Sequence, residues 1–263
     1  MKTISTLLFS LLLLLPVTSP AQVVRVDWQE AFNGQLTGKL TRDPERRIAI
    51  VSQRADTLLL VDKVSTPPSP FAGGGAALLV DSTPENALWF RLCFRPFDGP
   101  EVPQGVAEFH LHPVEGSAEL QVGHQETSWD PAVIETYYVG SLAFVVSLDP
   151  GAEPMVAGQA VETDSISTVV AGESYRLTVK WDFAETKPIV RIFLNGEVVR
   201  ARGATAPMNP PLGVVANKNG LNTFRISLGG PENHLGRLFV GPMAADARTT
   251  PEVEEAGDSL LAP

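Results

Sequence analysis

The segment Tyr175–Asp182 alternates strictly: Tyr175, Leu177, Val179 and Trp181 take one side, and Arg176, Thr178, Lys180 and Asp182 take the other. A strand sends successive side chains to opposite faces, whereas a helix would scatter these four apolar residues around its circumference. Thr223–Leu228 repeats the pattern, with Phe224, Ile226 and Leu228 set against Thr223, Arg225 and Ser227. Each strand is therefore expected to have one core face and one wet face, as in an antiparallel sheet. Between them, Ile189–Leu194 and Glu197–Arg200 flank Asn195-Gly196. That dipeptide tolerates the two positive φ values of a type I′ turn and so predicts a hairpin.

Similar runs recur along the chain. They are Val23–Trp28, Ile48–Val51, Leu58–Val61, Ala76–Val80, Ala87–Phe94, Val106–His112, Glu119–Val122, Leu142–Leu148, Ile166–Val170 and Leu238–Val240. Most are bounded by Pro, Gly, Asn or Asp, and the 22 Gly and 22 Pro leave no window for three helical turns of apolar i, i+3, i+4 spacing. Short strands without helical crossovers close as a barrel or stack as two sheets. The expected fold is all-β, a two-sheet antiparallel β-sandwich. Asp149–Gly158 reads as a loop, as do Thr66–Pro70 and Ala72–Gly75.

Residues 1–21 read as a cleaved signal peptide. Lys2 gives the positive end, Leu7–Leu15 the apolar core, and Ser19-Pro20-Ala21 small residues before Gln22. That apolar run is about half of the roughly 20 residues that span a bilayer, and no later stretch replaces it. A secreted or periplasmic domain over residues 22–243 is expected, followed by an acidic disordered tail over 244–263 carrying Glu252, Glu254, Glu255 and Asp258. The formal charge of −10, with no basic patch, argues against nucleic acid and anionic lipid as partners. Cys93 is the only cysteine, so no intramolecular disulfide forms, and its place between Leu92 and Phe94 predicts burial.

Several segments resemble the laminin-G-like, concanavalin A-like domains of secreted bacterial proteins. Trp28-Gln29-Glu30-Ala31-Phe32-Asn33-Gly34 is similar to their opening strand and turn. Tyr175–Asp182 with Val190–Gly196 resembles their paired strands, and Phe224–Gly230 with Leu238–Val240 their last ones. The resemblance implies a jelly roll with one curved face. Such domains bind sugars or proteins, or cleave polysaccharides. Arg237 stands where members often place an Asp that helps to hold a structural calcium, so no cofactor is expected.

Glu108, His110 and His112 alternate along one run and should project from one face. Such a row suits a solvated polar face, a divalent metal site or a polar ligand groove. Arg91, expected on the neighbouring strand, lies beside His110 in this scheme. An Arg and a His on the curved face match what lyases of this fold use to neutralise a uronate and abstract its proton. The Tyr- and Lys-bearing strand of that family is absent from Ile189–Gly196, and no Gly-x-Ser-x-Gly elbow occurs. Trp129 and Tyr137, with Tyr138, fall in the connection Gly123–Gly140, where a flat ring can stack on a sugar.

Three functions stay open at this point. The first is a noncatalytic module binding a polysaccharide or a cell-surface protein through Glu108, His110, His112, Trp129 and Tyr137. The second is a polysaccharide lyase or hydrolase using Arg91 and His110. The third is a structural or assembly protein without a small ligand.

Overall fold

The computed structural model describes residues 28–30, 40–43, 48–52, 58–61, 64, 67–71, 77–82, 90–97, 99–126, 140–184, 186–228 and 236–247. Residues 1–21, expected to be a signal peptide, lie outside the described residues, as do Trp129, Tyr137, Tyr138 and the residues from 248 on.

The first half of the chain supplies β1 (Trp28–Glu30), β2 (Leu40–Asp43), β3 (Ile48–Ser52), β4 (Leu58–Val61), β5 (Ala77–Ser82) and β6 (Phe90–Phe94). Next come β7 (Gln104–Glu115), β8 (Ala118–His124), β9 (Ser141–Leu148), β10 (Met155–Val156) and β11 (Gln159–Glu162). The remainder are β12 (Tyr175–Asp182), β13 (Ile189–Leu194), β14 (Glu197–Val198), β15 (Arg200–Ala201), β16 (Thr223–Leu228) and β17 (Gly236–Asp246). No α-helix occurs among the described residues; Gly213–Asn217 forms one 3-10 turn.

The strands build two antiparallel sheets. The first runs β14-β13-β12-β7-β17-β5-β4, with β1 also on β17; the second runs β15-β11-β10-β9-β8-β16-β6-β3-β2. The expected sandwich is what the chain forms. Its centre is aromatic, because the inward positions of the alternating strands meet there. Phe94 and Phe224 from the second sheet meet Phe109 from the first with ring centroids 5.3–5.4 Å apart. Trp181 lies 6.1 Å from Phe224 and is fully buried. Each buried ring contributes roughly 2–3 kcal/mol, so this cluster is a main cohesive element between the layers.

The Asn195-Gly196 hairpin forms as expected, with φ of 51° and 89°. Cys93 is buried. Other expectations are corrected. Ile166–Val170 is not a strand: Thr163 ties its start through the Thr163 N–H to Ile166 O and the Ile166 N–H to Thr163 Oγ1, while Val169 is buried. The loop expected over 149–158 instead contributes β10, which pairs with both β9 and β11. Glu197–Arg200 does not stay in one strand. The chain switches sheets at the buried Val199, so β14 belongs to one layer and β15 to the other. The last strand continues past residue 243 to Asp246, paired with Val106.

The larger correction concerns the wet faces. On β12, Thr178, Lys180 and Asp182 are buried along with the inward residues, and on β16 Thr223, Arg225 and Ser227 are too. Central strands have neighbours on both sides, and long polar side chains lie flat across them: the Arg225 guanidinium bonds the Gln121 amide, and Lys180 Nζ sits 5.2 Å from the Phe193 ring centroid. Alternation in polarity therefore marked the two faces without making the outer one solvent-exposed.

Candidate functional site

Glu108, His110 and His112 do share the outer face of β7, as their spacing predicts. Glu108 is fully buried, however, with its Oε1 2.9 Å from His110 Nε2. A solvated face does not describe it. The row also splits rather than converging. His112 Nδ1 lies 2.9 Å from Ser174 Oγ, and its ring meets Phe71 and Phe239 edge-on. Burial holds the His112 imidazole below its ordinary pKa. Phe71 reaches this face from the β4–β5 connection and also packs on His110. That approach depends on Gly241, where a Cβ would sit 2.7 Å from the Phe71 ring. Phe71, Ala77, Leu79 and Phe239 make a small second core there. Among the described residues no three His, Cys, Asp or Glu side chains gather to hold a metal.

Arg91 and His110 are not neighbours. Arg91 lies on β6, in register with Ser227 and Val51 of the second sheet, whereas His110 lies on β7 of the first. The reason is topological: the connection after Phe94 carries the chain from one layer to the other, so consecutive strands do not pair. Arg237, the residue in place of an expected acid, donates from Nη2 to Asp81 at 2.8 Å, which raises its pKa.

That same crossover builds a site that the sequence did not single out. At one end of the sandwich it meets the last residues of β8 and the segment before β16. Asn222, with no exposed surface, ties the three together. Its Oδ1 accepts from the Gln125 N–H at 2.8 Å and from Thr223 Oγ1 at 2.9 Å; its Nδ2 donates to Gln125 O at 2.8 Å and Pro100 O at 3.3 Å. Val102 N donates to Asn219 O, and Trp181 Nε1 donates to Val102 O, both at 2.8 Å. Gly220 approaches so closely, at φ +100°, that a Cβ there would lie 1.7 Å from Val102 O. The frame is rigid because its buried polar groups have partners.

On this frame sits an open pocket of about 220 Å³. Glu101 lines it from the crossover, and His124 and Glu126 from β8 and the residues just after it. Asn217, the last residue of the 3-10 turn, lines it together with Lys218 and Asn219 just after the turn. His124 is buried, and its Nδ1 lies 2.9 Å from Gly220 O. A carbonyl only accepts, so Nδ1 carries the proton and Nε2 is the ring's acceptor in the neutral form. Lys218 Nζ is paired with Glu126 Oε1, and this hydrogen bond and charge hold the Glu126 carboxyl below the usual range. Two apolar side chains lie on neighbouring elements: Leu142, 46% exposed and in register with Gly123, and Val214 of the 3-10 turn, 66% exposed. The chain leaves the described structure at Glu126 and re-enters at Gly140, where φ is +68° and a Cβ would lie 2.3 Å from His124 O.

The available signal for this site was the polar run Asn217-Lys218-Asn219-Gly220, together with His124, one of four histidines. Neither says what it faces.

No family model and no curated protein matches the chain. Among solved structures it is similar to the botulinum neurotoxin serotype G binding domain, at 8% identity and TM-score 0.41, over 88% of this chain and 49% of that one. A mutant Trypanosoma rangeli sialidase displaying trans-sialidase activity aligns at 10% identity and TM-score 0.45, over 82% and 30%. A protein of unknown function from Shewanella oneidensis aligns at 13% identity and TM-score 0.40, over 86% and 89%. The chain thus spans about half of the toxin domain and under a third of the sialidase.

Proposed function

We propose that the chain is an exported, noncatalytic β-sandwich of the laminin-G-like kind that binds a glycan, free or on a surface partner. The observation that carries this is the loop-end pocket. It sets exposed amides and carboxylates with a lysine and a buried histidine on a frame locked by Asn222, and neighbouring elements carry the exposed apolar side chains of Leu142 and Val214. A sugar has the matching surface, hydroxyls that both donate and accept and an apolar C–H face. The separation of Arg91 from His110 weighs against the lyase alternative, since the uronate-neutralising group and the base would have to face one substrate.

The test is a titration of the purified domain with a panel of neutral and acidic oligosaccharides, followed by amide chemical shifts and calorimetry. Shifts should concentrate at residues 124–126 and 217–220. The double variant Asn217→Ala/Asn219→Ala should bind at least about tenfold more weakly, the loss expected for two ligand hydrogen bonds. No response at these positions to any member of the panel would reject the proposal.

A further inference from the structure

We infer that the loop-end pocket selects an uncharged sugar residue over a uronate or a sialylated one; this rests on the glycan reading above. The pocket's lysine is already engaged. Lys218 Nζ bonds Glu126 Oε1, so an acidic ligand either shares that cation with the Glu126 carboxylate or displaces it, and in both cases meets a like charge alongside. Among the described residues that line the pocket there is no other lysine, and no arginine, the side chain whose planar fork recognises carboxylates bidentately. Glu101 adds a second negative charge, so the formal balance of the described lining residues is one unit negative with His124 neutral. The chain as a whole carries −10, which repels an anionic ligand at longer range as well.

The uncharged groups fit the opposite class. Each asparagine amide offers both donors and acceptors, and the carboxylates accept, so adjacent hydroxyls find complementary partners without any charge to neutralise. Size narrows the ligand further. At about 220 Å³ the pocket is smaller than the roughly 300 Å³ at which pockets for drug-sized ligands begin, which suits one sugar ring. Val102 N bonds Asn219 O and Val102 bridges Gly220, which fixes the backbone beside Glu101 and Lys218.

Two matched pairs test the inference: lactose against 3′-sialyllactose, and galactobiose against digalacturonate, each titrated at low and at high salt. In at least one pair the neutral member should bind more tightly than its acidic partner by about fivefold or more at low salt, the scale of one like-charge contact in high dielectric. High salt should shrink that gap. Glu101→Gln should also shrink it, by strengthening the acidic member relative to the neutral one. Tighter binding of the acidic members, with shifts at residues 217–220, overturns the charge inference and leaves the glycan reading standing. A gap indifferent to both salt and Glu101→Gln overturns it too. If neither pair shifts those residues while other glycans do, one-ring neutral selection fails; if no glycan does, both fail.

Discussion

Replacing Asn222 by alanine should cost the protein a fifth or more of its stability and remove ligand binding with it. The side chain is completely buried and makes four hydrogen bonds, two as acceptor and two as donor. At a net contribution of about 1 kcal/mol each, their loss alone amounts to roughly 4 kcal/mol. The cavity left behind and the Gln125 N–H stripped of its acceptor add to this, whereas water admitted at the partly exposed rim returns some of it. We expect about 3–5 kcal/mol, against a total of roughly 5–15 kcal/mol for a typical domain. Urea denaturation followed by tryptophan fluorescence reads this as a midpoint shift of about 1.5 M at an m-value of 2–3 kcal/mol per M.

Asn222→Asp separates hydrogen bonding from packing. It keeps Oδ1 and the volume but puts a second acceptor against the carbonyls of Pro100 and Gln125. The folded state then favours a protonated carboxyl, so its folded pKa lies above the unfolded value of about 3.9. Stability contributed this way is present at low pH and lost as pH rises through the folded pKa. The variant should therefore recover, relative to wild type, as pH is lowered. A cost for Asn222→Ala under about 1 kcal/mol, or an Asn222→Asp variant whose deficit is flat in pH, would refute the view of Asn222 as the strut of the pocket.

Three further outcomes follow from the same geometry. Phe224→Ala empties the point where Phe94, Phe109 and Trp181 converge and should cost about 3–5 kcal/mol in urea denaturation; under about 1.5 kcal/mol would mean the two layers are not held there. Gly220→Ala forces a Cβ onto Val102 O and should cost more than about 2 kcal/mol and abolish glycan-induced shifts, so a variant of wild-type stability contradicts the close approach. Burial lowers the His112 pKa, so below about pH 6.5 the unfolded chain takes up a proton that the folded one refuses; stability falls as pH drops from there through the lower folded value. His112→Gln should reduce that slope in denaturation curves at pH 7.5 and 5.5, and an unchanged slope would argue against it.

Much of the sandwich was legible from local pattern. Period-two alternation marked the inward faces of Tyr175–Asp182 and Thr223–Leu228, and Asn195-Gly196 marked its turn, because strand geometry and left-handed backbone depend on nearest neighbours in the chain. Alternation could not say which strands would be central. Thr178 and Arg225 look solvent-facing in sequence and are buried because their strands are flanked on both sides.

The site was legible only in part, for the same reason. The Glu108, His110 and His112 row is a local property of one strand, and it formed. Arg91 beside His110 requires a particular strand pairing, and the crossover after Phe94 puts the two in different layers. The pocket draws Glu101, His124 and Lys218 from segments far apart in the chain, so no spacing in the sequence announces it. Face and turn are written residue by residue; adjacency of strands, burial of polar groups and convergence of loops are decided when the sheets choose their order, since that choice rests on long-range packing.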